Sequence, residues 1–103
     1  MANPLQPKCI TILEKEYSAY VVNITAASKS GHMDLLACIK GKFYGFEIKW
    51  KSDQPSELQK DKINNCIESG GKAYFIRSED ELRQTLDFNI PPIKYETKKR
   101  YKL

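Results

Sequence analysis

Asp34, Glu47 and Lys49 are the residues of this chain whose types and spacing could do chemistry. They lie in the stretch Gly31–Lys49, GHMDLLACIKGKFYGFEIK: an aspartate, a short apolar run, Lys-Gly-Lys, then an aromatic-rich run ending Glu-Ile-Lys. Residues two apart on a strand share a face. Glu47 and Lys49 therefore stand side by side, while Tyr44, Phe46, Ile48 and Trp50 form the opposite, core-facing row. Lys40–Lys42, with Gly41 in the middle, predicts a tight hairpin connection that folds Asp34–Ile39 back along Phe43–Lys49. Asp34 and Glu47 then become near neighbours across an antiparallel ladder. Two carboxylates held together repel each other unless something offsets their charge. A hard divalent cation such as Mg²⁺ does so, and it prefers oxygen ligands. Lys49 adds positive charge beside that site. A surface hairpin with an ordinary salt bridge uses the same residue types, so the wider context must decide.

The elements that position these residues can be read from periodicity. Ile10, Leu13 and Tyr17 recur at helical spacing and predict a helix from about Gln6 to Tyr17. Ala19–Thr25 favours a strand, and Ala26–Gly31 is a small-residue loop in which Lys29 and Ser30 could meet a phosphate. Lys51–Pro55 is a polar loop, and Ser56 opens a helix that runs to about Ser69 before Gly70 and Gly71. In that helix Gln59 falls on one stripe with Ile63, Cys66 and Gly70, so a polar amide sits on the buried face. Two roles are open to it: Ser56-x-x-Gln59 is a capping box, and Gln59 can also lean over the hairpin to orient the site. Lys62, one turn along, either approaches a nucleic acid or solvates the helix. Lys72–Arg77 is a short strand that follows a helix, and Ser78 caps a last helix carrying Leu82 and Leu86. The order αβββαβα predicts an α/β fold, a mixed sheet flanked by helices.

Composition narrows the class. At 103 residues the chain is expected to form one domain over residues 1–90, followed by a basic tail over 91–103. Five of the 17 basic side chains, but one of the 13 acidic ones, fall in the last ten residues, leaving the rest with twelve of each sign. That tail, with Lys98, Lys99, Arg100 and two interleaved tyrosines, suits phosphate backbones and exposed bases, or is a solvated end. No run approaches the length needed to cross a bilayer, and the opening MANPLQPKC lacks the pattern of a secretory leader. Cys9, Cys38 and Cys66 form neither a metal clamp nor an even disulfide framework, so a reduced, cytoplasmic setting is expected. His32 has no second His or Cys at ligand spacing, which argues against zinc. No Gly-rich phosphate loop is present, and no organic cofactor is expected.

With these residues in place the chain resembles the PD-(D/E)XK nuclease superfamily, whose core is restriction-endonuclease-like. It is similar within it to the virus-type replication-repair nuclease (VRR-NUC) group in its small stand-alone phage form. The resemblance covers about Ala19 to Leu86. It rests on SKSG-x-x-Asp34, a hairpin, Glu47-x-Lys49, and Ser56-x-x-Gln59 opening a helix that ends in Gly-Gly. It implies that Asp34, Glu47 and the backbone carbonyl of Ile48 hold Mg²⁺ or Mn²⁺. Lys49 would position or help deprotonate the attacking water, and Gln59 matches the helix glutamine of the group. It further implies a Mg²⁺-dependent, structure-specific DNA endonuclease, since small stand-alone members of the group resemble Holliday junction resolvases, which act as symmetric dimers. Branched DNA and a homodimer are thus the expected partners. A flap or duplex nuclease, an inactive DNA-binding module and an interaction protein are the alternatives. The sequence departs from the group twice. Met33 stands where a proline usually precedes the aspartate. The start of the first helix, Asn3-Pro4-Leu5-Gln6, has no acid where the group usually has glutamate, leaving Glu14 or Glu16 as substitutes from further along.

Overall fold

The structure, a computed structural model, describes residues 3–24 and 33–97. Its elements are α1 (Leu5–Glu16), β1 (Tyr20–Asn23), β2 (Leu35–Ile39), β3 (Lys42–Ile48), α2 (Glu57–Glu68), β4 (Lys72–Ile76) and α3 (Glu79–Asp87). The expected order and the mixed sheet are both present. The four strands lie in the order β1-β2-β3-β4. The first two pairings are antiparallel and β3–β4 is parallel, because α2 carries the chain back to the same end of the sheet.

The β2–β3 connection is a two-residue loop. Lys40 and Gly41 both have positive φ, 51° and 81°. That is the turn whose twist matches paired strands, and glycine supplies it without a Cβ penalty. The loop fixes register: Ile39 pairs with Lys42, and the ladder runs on to Leu35 opposite Phe46.

Strand alternation then sorts the side chains. On one face Leu35, Ala37, Ile39, Tyr44, Phe46, Ile48 and Ile76 meet Leu5, Cys9, Ile12 and Leu13 of α1 and Leu82 of α3. Removing this apolar surface from water, at ~25 cal/mol per Å², is the main drive for the fold. The two helices are tied at their far ends, where Arg83 grips Glu16 with two nitrogens at 2.8 and 2.9 Å and the Tyr17 hydroxyl donates to Asp87 at 2.6 Å.

The other face is covered unevenly. Ile63 of α2 and Ala73 of β4 are buried there, but Tyr20, Val22, Cys38 and Phe43, towards β1, are exposed. Beside them runs an open groove of about 540 Å³ lined by Ile24, Met33, Leu36, Phe43, Cys66 and Gly71.

Residues 91–97, read from sequence as the start of the tail, lie against the domain. The Tyr74 hydroxyl donates to the Ile90 carbonyl on one side of β4. On the other side Tyr95 packs edge-on against Phe75. Asn64 of α2 clasps Tyr95 at both backbone groups, accepting from its N–H at 2.8 Å and donating to its carbonyl at 2.7 Å. Lys94 pairs with Glu68. The segment thus wraps the β4 edge and runs back along α2, from its C-terminal end towards its start. Asn64→Ala is expected to cost about 1–3 kcal/mol, since two part-buried hydrogen bonds, each contributing about 0.5–1.5 kcal/mol, are lost. Urea denaturation would read the loss, and amide exchange at Tyr95 would accelerate.

Candidate active site

The site forms where β3 outlasts β2. One step beyond the last ladder pair, Leu35 with Phe46, Asp34 comes opposite Glu47. The neighbouring Ile48 keeps its parallel partner side, and Lys49 N–H donates to the Ile76 carbonyl at 2.9 Å. Towards β2, however, side chains replace the missing strand. Asp34 Oδ2 accepts from the Ile48 N–H at 2.8 Å, and Asn3 Nδ2 donates to the Ile48 carbonyl at 3.1 Å. Met33 holds the approach to Asp34: its thioether lies directly over Gly45, in space that any Cβ there would occupy.

Glu47 is 3% exposed, and its Oε2 has no hydrogen-bond partner among the described residues. Its carboxyl is pushed up to about 9, chiefly by burial and then by the hydrogen-bonded, like-charged Asp34 carboxyl, with the Lys49 ammonium opposing both. Glu47 is therefore held in its protonated form near neutral pH.

Lys49 is also buried. Its Nζ donates to Gln59 Oε1 at 3.1 Å. The same oxygen accepts from the Ser56 N–H at 2.9 Å, while Ser56 Oγ accepts from the Gln59 N–H at 3.1 Å. Both roles open to Gln59 are present in one arrangement: the capping box that starts α2 also locks the amide that holds Lys49.

A divalent cation fits this donor set. Two hard carboxylate oxygens converge from β2 and β3, one of them buried without a partner, and the Ile48 carbonyl adjoins them. The Asp34 and Ile48 oxygens already in hydrogen bonds retain a second lone pair. Among the described residues no three His, Cys, Asp or Glu side chains cluster at metal-binding spacing.

The other candidates lie apart. Lys62 is half-buried on α2 and makes no ion pair among the described residues. Lys29, Ser30, His32, Lys98, Lys99 and Arg100 lie outside the described residues. Glu16 is engaged by Arg83 at the opposite end of α1, and Glu14 is exposed near that same end. Neither substitutes for an acid at the helix start. Asn3 was visible in sequence only as a missing acid; its contact with Ile48 spans 45 residues. A concavity of about 560 Å³ between Tyr17, Lys40, Tyr44 and Asn89 is at the hairpin-turn end of the sheet, away from this group.

Against known proteins the likeness is one of fold. No family profile matches the chain, and no curated protein matches it. A solved structure described as a VRR_NUC domain superposes with a TM-score of 0.67 at 16% identity, covering 82% of this chain and 92% of the other. The chain has the VRR-NUC fold, a restriction-endonuclease-like α/β arrangement. No helix among the described residues is long and apolar enough to cross a membrane.

The raised carboxyl fixes a sign. Between about 4.5, its ordinary value, and about 9 the folded chain holds a proton that the unfolded chain has released. Metal-free stability therefore falls as pH rises through that window, by at most about 1.4 kcal/mol per pH unit. Urea denaturation in EDTA across the window should show the decline. Glu47→Gln should remove it and be the more stable form on the alkaline side.

Proposed function

We propose that the chain is a divalent-metal-dependent endodeoxyribonuclease. The observation that carries this reading is the half-buried Asp34 set against the buried Glu47, beside Lys49 at a sheet end in a VRR-NUC fold. Asp34, Glu47 and the Ile48 carbonyl would hold Mg²⁺ or Mn²⁺. Such an ion would supply Lewis-acid activation of water and positive charge against the phosphate. Glu47 would have to be ionised to hold it, so affinity should rise with pH. Gln59 keeps Lys49 aimed at the same notch, where its ammonium orients the attacking water and neutralises a phosphate oxygen. An inactive DNA-binding module is the weaker reading, because setting two acids side by side where phosphate must approach opposes binding unless an ion is held there.

The favoured substrate is branched DNA, cut by a homodimer that presents two sites. The open apolar face around Tyr20, at 73% exposed, and Phe43, at 51%, supports pairing with a second copy. Lys98, Lys99 and Arg100 follow a segment that runs along α2 towards Gln59, which favours contact with the DNA backbone near the site.

Incubation of a four-way junction and matched duplex with Mg²⁺ or EDTA tests the reading. Cleavage should need the metal and favour the junction. Asp34→Ala should lose about 10³-fold or more in rate, as should Lys49→Ala to within a decade, while junction binding survives. Binding without cutting in any divalent metal would leave the inactive module. Replacing Lys98, Lys99 and Arg100 by Gln should flatten the salt dependence of DNA binding by up to about three in log–log slope; an unchanged slope would mean those cations touch no phosphate.

A further inference from the structure

Ile48 is held by two side chains where a strand has run out, and the two are chemically unlike. Asp34 takes its N–H; Asn3 takes its carbonyl. The orientation of the Asn3 amide follows from its surroundings. Its Oδ1 accepts from the Leu5 N–H at 3.0 Å, one of the open donors at the start of α1, and its backbone carbonyl accepts from the Gln6 N–H at 3.2 Å. The amide oxygen is thus committed to the helix and the NH₂ group to the carbonyl. A flipped amide would set oxygen against oxygen at Ile48 and NH₂ against N–H at Leu5.

The charge count gives this consequence. A site for two divalent ions needs more negative charge than one carboxylate pair partly offset by the Lys49 ammonium. Where α1 enters the site, the group present is an amide presenting hydrogens, not a third carboxylate. We propose that Asn3 is a positioning residue that aims the Ile48 carbonyl at the Asp34–Glu47 notch and restricts it to a single divalent cation. This rests on the metal reading above. The α1 entry therefore sets the ion count of a site built on the hairpin.

Mn²⁺ binding to the full chain, followed by electron paramagnetic resonance of the free ion and by calorimetry, tests this without reference to cleavage. The native chain should bind one Mn²⁺ per site, and Asp34→Ala should abolish it. Asn3→Asp keeps a capping oxygen for Leu5 but adds a carboxylate, and should bind a second Mn²⁺ or tighten the first at least tenfold. Asn3→Ser keeps a cap but cannot reach Ile48, and should weaken the single ion several-fold with little change in melting temperature in EDTA. Two ions on the native chain overturn the proposal. So do unchanged stoichiometry and affinity in both Asn3 variants, since Asn3 would then only cap the helix. No Mn²⁺ on the native chain, or equal binding by Asp34→Ala, sinks the metal reading and the proposal with it; the Asn3 variants alone cannot produce that result.

Discussion

The constraint on which the rest of the structure depends is that a strand cannot end without its neighbour's backbone finding other partners. β3 continues past the end of β2, and the peptide groups of Ile48 would otherwise be orphaned beside a dry core. Asp34 and Asn3 resolve this with their side chains. In doing so they bring a carboxylate and an amide from two distant segments to the same peptide. The alternation of β3 then places Glu47 and Lys49 beside them. The chemistry of the site is in this sense a by-product of terminating a ladder.

A second constraint follows from burial. Glu47 and Lys49 are each on the α2 face and nearly closed to water. A buried carboxyl can be protonated, paired or coordinated. For Glu47, protonation is the metal-free solution. On the other side the Lys49 ammonium is met by Gln59, an uncharged acceptor that restrains its position while leaving its charge unspent. Because the same amide caps α2, the start of the helix and the direction of the lysine are one structural feature.

Much of this was legible in the sequence because it is local. The Gly41 turn announces the hairpin and so brings Asp34 near Glu47; that the loop is only Lys40-Gly41, with Lys42 already in β3 rather than in the connection, is what sets the two directly opposite. The Ser56–Gln59 spacing announces both a helix start and a misplaced polar group. Three things were not legible. Asn3 touches Ile48 across most of the domain, and neither residue carries a periodic signal of the other. The course of residues 90–97 depends on Asn64, whose amide looks in sequence like any other helix-surface polar group. The uneven cover of the sheet depends on where α2 lands, and alternation in β1 and β2 only says that both faces are partly apolar.

The Asn64 clasp also has a mechanical reading. Gln59 and Asn64 sit on the same 12-residue helix, little more than a turn apart. Such a helix moves as a rod. A displacement of Tyr95 would therefore act on the same rigid body that carries the restraint on Lys49.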